Sequence, residues 1–214
     1  MSGISTPSTA STPAPRPAPS AATLQRLRAQ WGAQLQSHHT LALLELGDAT
    51  CALIISEGQP EHTVPVVHHM PLGLQLLTQR TFKKNMPTDA QLEAGIMVVE
   101  DAVMPLARLV PPHTVLATHD PLLLQIARQA AGLPPPTTQT SQAEPPCVTR
   151  EAIEALFEQL VQQASRPYGG TDPDLPQDPR WAAALLILRE ALHHWQCSHL
   201  HLLPPPQPGT TIQP

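Results

Sequence analysis

Aromatic residues and cysteines are scarce in this sequence. Phe, Trp and Tyr make up 3% of the 214 residues, whereas 41% are hydrophobic, so a folded core has to be built from aliphatic side chains. The three cysteines, Cys51, Cys147 and Cys197, are odd in number and share no short spacing. This pattern excludes a disulfide framework and a zinc knuckle. It is typical of a reducing compartment, so we expect the cytoplasm.

Excess positive charge and long apolar runs are also missing. The formal net charge of −5 provides no basic surface for nucleic acid, so we expect no nucleic-acid partner. No apolar run approaches the ~20 residues that a membrane-spanning helix needs. The N-terminus lacks the apolar segment of a signal peptide. We therefore expect no membrane partner either.

Proline is abundant instead, and it is clustered. Many of the 27 prolines fall in residues 1–20, which are almost all Ser, Thr, Pro, Ala and Gly, and in residues 204–214. Such segments bury too little apolar surface to offset the entropy lost on ordering. The sequence therefore predicts two disordered tails around one domain at residues 21–203.

Hydrophobic periodicity predicts a single α/β domain between these tails. The predicted strands span residues 41–46, 51–56, 62–68, 115–118 and 198–203. The predicted helices span residues 21–37 and 72–82, and others begin behind Thr88, Asp120, Thr149 and Asp178. A three-strand antiparallel meander followed by helix-separated strands indicates a mixed five-stranded sheet flanked by helices on both faces. This is the pattern of a ribonuclease-H-like, actin-like ATPase subdomain.

Several short segments match one known family in order and spacing. They are Pro71-Leu72-Gly73, Leu77-Thr78-Gln79-Arg80-Thr81-Phe82, Pro87-Thr88-Asp89-Ala90-Gln91-Leu92, Val148-Thr149-Arg150-Glu151-Ala152-Ile153 and Pro179-Arg180-Trp181-Ala182. Over residues 38–203 the chain resembles the C-terminal half of the catalytic core of the exopolyphosphatase / guanosine pentaphosphate phosphohydrolase (Ppx/GppA) family. Sugar kinases and other actin-like proteins share the strand order and stay an alternative at the level of the fold.

The resemblance implies two phosphate-binding turns. The family's Asp-Ile-Gly-Gly-Gly-Ser-Thr-Glu-Leu corresponds to residues 45–53, with Gly47, Asp48, Ala49 and Thr50 in the turn. Glu45 stands where the family has an Asp that contacts metal or water. The family's second turn, Gly-Thr-Gly-Gly-Thr, corresponds to residues 117–121 and includes Thr118 and His119.

Departures from the family pattern argue against catalysis. Only Gly47 remains of the glycines in the first turn, Asp48 brings a carboxylate that repels phosphate, and Ala52 replaces the family's Glu. The second turn has no glycine, so backbone N–H groups have less freedom to close on an anion. The family's N-terminal partner subdomain is replaced by a tail and one helix, and its closing glycine-rich segment by Pro204-Pro205-Pro206.

Each candidate residue also has a structural interpretation. One interpretation is a metal-and-water site formed by Glu45, Asp48 and Thr50. The other is that Glu45 is only a carboxylate at the end of a strand and that the other two are ordinary turn residues. A second set, Thr118, His119 and Asp120, holds a phosphate at a helix N-terminus or does acid/base work. Alternatively, Asp120 caps that helix and excludes the anion, which we favour.

Histidine is the other candidate ligand. The chain has 11 histidines, with adjacent pairs at His38-His39, His68-His69 and His193-His194, and adjacent residues point to different faces. No carboxylate or cysteine is expected to join them at ligand spacing, so we predict no metal site.

Three functional classes follow from these observations. The first, which we favour, is a degenerate Ppx/GppA phosphatase-like domain without catalysis that acts as a binding or regulatory module. The second is an active phosphohydrolase on polyphosphate or guanosine pentaphosphate, completed by a partner subdomain and using Mg²⁺. The third is a structural interaction protein that uses its proline-rich tails. We expect no cofactor in the first class. We also expect a second copy of the chain (a homodimer) or another protein to cover the surface around residues 45–50 and 117–120. A small phosphate-containing ligand stays open.

Overall fold

The computed structural model describes residues 40–56, 65–134, 146–166 and 172–203. The predicted tails at residues 1–20 and 204–214 and the predicted helix at residues 21–37 lie outside these ranges.

The described residues form six strands and five helices in an alternating order. The strands are β1 (Leu41–Glu45), β2 (Cys51–Ser56), β3 (Val66–Met70), β4 (Val115–Thr118), β5 (Cys147–Thr149) and β6 (His199–Leu202). The helices are α1 (Leu74–Leu76), α2 (Asp89–Val103), α3 (Pro121–Ala130), α4 (Arg150–Ala164) and α5 (Pro179–His194). A π-helical turn at Leu77–Thr81 follows α1, and a 3₁₀ turn at Met104–Leu109 follows α2.

The strands form one mixed sheet in the order β3-β2-β1-β4-β6-β5. The meander is confirmed, because β2 pairs antiparallel with both β1 and β3. Beyond it, β1 pairs parallel with β4, and β4 pairs parallel with β6. This is the predicted actin-like arrangement, in which β1 lies between the antiparallel β2 and the parallel β4.

The prediction of five strands is wrong by one. The additional strand, β5, lies at the edge of the sheet and pairs antiparallel with β6, with Val148 opposite Leu200. It has only three residues, and it follows a proline-rich segment. So short a strand shows no period in the sequence, and it is specified by its pairing with β6.

Two other boundaries differ from the prediction. The third strand is observed at Val66–Met70 rather than at 62–68, and residues 57–64 lie outside the described ranges. The segment predicted as one helix at 72–82 divides into α1 and the π-helical turn. Gly73, which precedes α1, packs against the β1–β2 turn so closely that a Cβ atom there would meet the Asp48 carbonyl oxygen.

The predicted helix caps are confirmed. The Asp120 carboxylate accepts hydrogen bonds from Leu122 N and Leu123 N at 2.9 and 3.3 Å. Thr149 and Asp178 accept from the backbone of α4 and α5 in the same way, and Gln91 Oε1 accepts from Thr88 N. Each cap satisfies backbone N–H groups that have no partner within the helix, and so each defines where its helix begins.

The strands alternate between two apolar clusters, one on each face of the sheet. The larger cluster combines alternate strand residues, such as Leu44, Leu53 and Leu116, with the buried residues of the helices. The smaller cluster contains Leu41, Leu43, Ile54, Ala117 and Leu203 and no residue from a described helix. The described helices therefore all pack on one face of the sheet. We predicted helices on both faces, and within the described residues only this face carries them.

Helix α5 is the centre of the larger cluster, as its sequence predicts. Every residue from Trp181 to Leu192 except Arg189 is buried. The helix contacts α1, α2, α3 and α4. A helix that is apolar nearly all round is stable only in such a position.

Leu186→Ala should strongly destabilise the domain. Leu186 is fully buried in α5, and its Cδ2 approaches the backbone of Gly95 in α2, so truncation removes apolar contacts and leaves a cavity between two helices. We expect a loss of about 2–5 kcal/mol in the free energy of unfolding. Met97→Ala, at a side chain that is 67% exposed, should change it by less than about 0.5 kcal/mol. Equal costs in urea titrations would contradict the assigned packing.

Candidate functional site

The candidate site lies at one edge of the sheet, where β1 and β4 end side by side. Their parallel register pairs Leu43 with Ala117, so two residues further along Glu45 comes opposite His119. The β1–β2 turn and the start of α3 leave the sheet at this edge. Ligands of open α/β sheets bind outside the carboxyl ends of parallel strands. The fold thus brings together the two turns that the sequence singled out.

The β1–β2 turn is held by its backbone against α1. The carbonyl oxygens of Gly47 and Asp48 accept hydrogen bonds from Leu74 N at 3.0 Å and Gln75 N at 2.9 Å. A Cβ atom on Gly47 would meet the carbonyl oxygen of Thr50, so the turn needs glycine at this position. The retained glycine therefore has a conformational reason that is independent of any ligand.

The carboxylate of Asp48 is paired with the first turn of α5. Arg180 Nη2 lies 2.6 Å from Asp48 Oδ1, and both side chains are about half exposed, at 48% and 52%. An exposed ion pair of this kind adds little to stability. It does neutralise both charges beside the turn, and the guanidinium is thus engaged by a carboxylate of the same chain. Ala49 and Thr50 complete the turn and are exposed.

Thr118 and Asp120 bind to their own chain. The buried Thr118 hydroxyl donates to the Leu44 carbonyl oxygen at 2.9 Å and accepts from Asp120 N at 3.1 Å. Asp120 caps α3 as described above. The first N–H groups of α3, which would otherwise attract an anion, are thus satisfied by a side chain that is itself negative.

Glu45 and His119 form the one close contact between titratable side chains of the two turns. His119 Nε2 lies 2.8 Å from Glu45 Oε1, and the side chains are only 13% and 12% exposed. The atoms are close but poorly aligned, since Glu45 Oε1 and His119 Nδ1 are buried and make no hydrogen bond within the described part of the chain. A protonated His119 makes this contact an ion pair, and a bound water could satisfy the two remaining atoms.

This edge of the sheet is a poor fit for Mg²⁺. The ion prefers octahedral oxygen ligands and is commonly bound by one or two carboxylates with water or phosphate oxygens. Glu45 faces an imidazole nitrogen, Asp48 faces Arg180, and Asp120 caps α3. Among the described residues, these three carboxylates do not form a metal-binding group. The turns do not offer Mg²⁺ a ligand set of their own.

Cys51, the first residue of β2, lies against the same turn. Burial raises the pKa of its thiol to about 12, although a backbone hydrogen bond from Gly47 acts in the opposite direction. Burial likewise raises the pKa of Cys197 to about 11. The two thiols behave as small apolar groups, as the sequence predicts.

Comparison with solved structures identifies the fold. A Ppx/GppA enzyme of Aquifex aeolicus superposes with a TM-score of 0.61 and 15% identity, over 82% of this chain and 56% of that one. An exopolyphosphatase of Cytophaga hutchinsonii gives a TM-score of 0.59 and 12% identity, over 86% of this chain and 60% of that one. No protein-family model and no curated protein sequence matches the chain.

The fold is that of the Ppx/GppA phosphatases. The chain spans a little over half the length of the Ppx/GppA structures that it matches, as expected for the fold of one subdomain. The segments that carry the sequence resemblance lie on the elements described above, and the two turns that the sequence singled out meet at one edge of the sheet. In the described residues, no helix is long and apolar enough to cross a bilayer.

The sequence analysis missed two groups of interacting charged side chains. One is the Asp48–Arg180 pair, which joins residues 132 positions apart. The other lies away from the turns, where Glu100, Glu190 and His194 place their ligand atoms within 4.8 Å of one another. The expectation that no carboxylate joins the histidine pairs is wrong here. The i,i+4 spacing of Glu190 and His194 on a predicted helix was the available signal.

Alkylation should discriminate among the three cysteines. Because the pKa values of Cys51 and Cys197 are raised, almost none of either thiol is ionised at pH 8, and both are buried. Iodoacetamide should therefore modify the exposed Cys147 first and add one group per native chain. Unfolding in guanidinium should expose all three. Rapid labelling of Cys51 in the native protein, measured by peptide mass spectrometry, would contradict this placement.

Proposed function

We propose that the chain is a Ppx/GppA-type domain that lacks catalysis and acts as a binding or regulatory module. The observation that supports this most directly is that both turns are engaged by side chains of the chain itself. Asp120 satisfies the N-terminal N–H groups of α3, and His119 lies against Glu45 between the two turns. A phosphate would have to displace these contacts in order to bind.

The charges at this edge also oppose a phosphate. The two turns carry three carboxylates, those of Glu45, Asp48 and Asp120, and the Arg180 guanidinium beside them is already paired with Asp48. Even His119, when protonated, has Glu45 as its nearest partner. Like charges at short range repel, most strongly where burial lowers the effective dielectric constant. The electrostatics therefore favour a partner that is not highly anionic.

Loss of phosphate-binding donors has a large effect on catalysis. Removal of one preorganised hydrogen-bond donor to a developing charge commonly costs ~10²–10³ in rate. In this chain the second turn has no glycine, and its helix N-terminus is capped by Asp120. Several such losses together support a domain without measurable turnover.

An active phosphohydrolase completed by a partner is the second candidate. Two observations favour it: the buried Glu45 Oε1 makes no hydrogen bond among the described residues, and the matched structures are nearly twice as long as the region that they share with this chain. In that case Glu45 would hold or activate a water, and the partner would supply the missing phosphate contacts together with ligands for Mg²⁺.

The purified chain should release no phosphate from polyphosphate or guanosine pentaphosphate, with or without Mg²⁺. A colorimetric phosphate assay against a buffer blank, with an active exopolyphosphatase as positive control, provides the measurement. Met97→Ala, at an exposed residue of α2 outside the two turns, is the control for Glu45→Gln. Mg²⁺-dependent turnover that Glu45→Gln abolishes and Met97→Ala retains would establish the second candidate instead.

We also propose that the domain associates with a copy of itself or with another protein and that it works in the cytoplasm. The exposed large hydrophobic residues of the described ranges, Val66, Met97 and Met104, support an interaction surface, and they lie outside the two turns. The three free cysteines support a reducing compartment.

Light scattering at micromolar concentration should give the mass of a dimer, because a symmetric pair is the commonest closed assembly. A mass of one chain at every concentration would contradict self-association.

Deletion of residues 1–20 distinguishes the third class of function, an interaction protein that uses its tails, from the first. Only a protein of the third class should lose a bound partner on truncation while its melting temperature stays unchanged.

A further inference from the structure

The cluster of Glu100, Glu190 and His194 lies between α2 and α5, away from the two turns. We propose that it is a binding site for one divalent transition-metal ion, with Zn²⁺ as the best match. Glu100 comes from α2, whereas Glu190 and His194 lie one turn apart on α5. This site is independent of the function proposed above.

The spacing of the three ligand atoms fits a tetrahedral ion. His194 Nε2 lies 3.3 Å from Glu100 Oε1 and 3.4 Å from Glu190 Oε2. Ligands about 2.0–2.1 Å from a tetrahedral Zn²⁺ are separated from one another by about 3.3 Å. The two distances from His194 Nε2 therefore match this spacing, and all three donor atoms lie within 4.8 Å of one another.

Glu190 provides an independent observation that points to a ligand. Its side chain is fully buried, and its Oε2 makes no hydrogen bond within the described residues. The other oxygen, Oε1, is bound by Arg189 Nη1 at 2.5 Å. A buried carboxylate oxygen without a donor is costly, and this one is directed at His194. A cation coordinated by Oε2 would remove that cost.

A proton on His194 accounts for only one of its two contacts. The contact with Glu100 Oε1 has hydrogen-bond geometry, whereas Glu190 Oε2 makes no hydrogen bond among the described residues. A single Nε2–H points along one direction and cannot be aligned with two carboxylates at once. Charge-assisted N–H···O⁻ bonds are usually about 2.7–2.9 Å long, and both contacts here are longer. A metal ion, by contrast, interacts with the nitrogen lone pair and with both carboxylates at the same time.

The residues around the cluster hold Glu190 in place on one side and leave Glu100 accessible to solvent on the other. The Arg189 guanidinium lies over the Phe157 ring at 5.5 Å, and it orients Glu190 from outside the ligand set. Trp195 Nε1 donates to the Val103 carbonyl oxygen at 2.9 Å and joins the same two helices next to the cluster. The Glu100 side chain is 37% exposed, so water can supply a fourth ligand.

Zinc titration of the full chain, with any affinity tag removed, tests the proposal. Calorimetry or competition with a chromophoric chelator should show one Zn²⁺ per chain, and Zn²⁺ should raise the melting temperature. His194→Gln should weaken binding by at least tenfold. His193→Gln is the matched control, because it removes the neighbouring, half-exposed imidazole of the same helix and should leave affinity unchanged.

Cobalt provides a readout that surface histidines do not produce. Tetrahedral Co²⁺ absorbs much more strongly in the visible range than octahedral Co²⁺, so the wild type and His193→Gln should show an intense band that His194→Gln lacks. If Glu190→Gln fails to fold, Glu100→Gln tests the carboxylate ligands at a partly exposed position. Zinc binding that is absent, or that survives both His194→Gln and Glu100→Gln, would overturn the proposal.

Discussion

Helix α5 has to be buried, and the positions of both candidate sites depend on that requirement. Eleven of its residues between Trp181 and Leu192 are buried, and it contacts all the other described helices, so its two ends are fixed relative to the sheet. The first turn places Arg180 beside the β1–β2 turn. The last two turns place Glu190 and His194 against α2. A single packed helix thus links the edge of the sheet to a polar cluster elsewhere in the molecule.

The two turns show how topology and side-chain chemistry contribute separately to a site. Strand order and register bring Glu45 and His119 together at one edge of the sheet. The side chains that stand there then interact with one another and with the nearby backbone, through the Asp120 cap, the Thr118 hydroxyl and the Arg180 pair. Backbone topology therefore decides which side chains meet at this edge, whereas their chemistry decides what the edge can bind.

Local signals in the sequence were sufficient for much of the fold. Asp120, Thr149 and Asp178 define helix starts because their side chains bind N–H groups within three residues. The meander follows from alternating apolar residues and short connections. The edge strand β5 was missed because three residues carry no period. The division of residues 74–81 was missed because apolar spacing over so few residues does not distinguish a π-helical turn from an α-helix.

What the sequence by itself determined is most of the described strands and helices, their caps, the apolar character of α5 and the resemblance of the two turns to Ppx/GppA phosphate turns. These properties depend on residues a few positions apart. Only the tertiary structure decided which charges meet: Asp48 with Arg180, Glu45 with His119, and Glu100 with Glu190 and His194. Such contacts join residues up to 132 positions apart. Apart from the i,i+4 spacing of Glu190 and His194, no local pattern encodes them, because they arise only when the packing of helices and strands brings distant residues together.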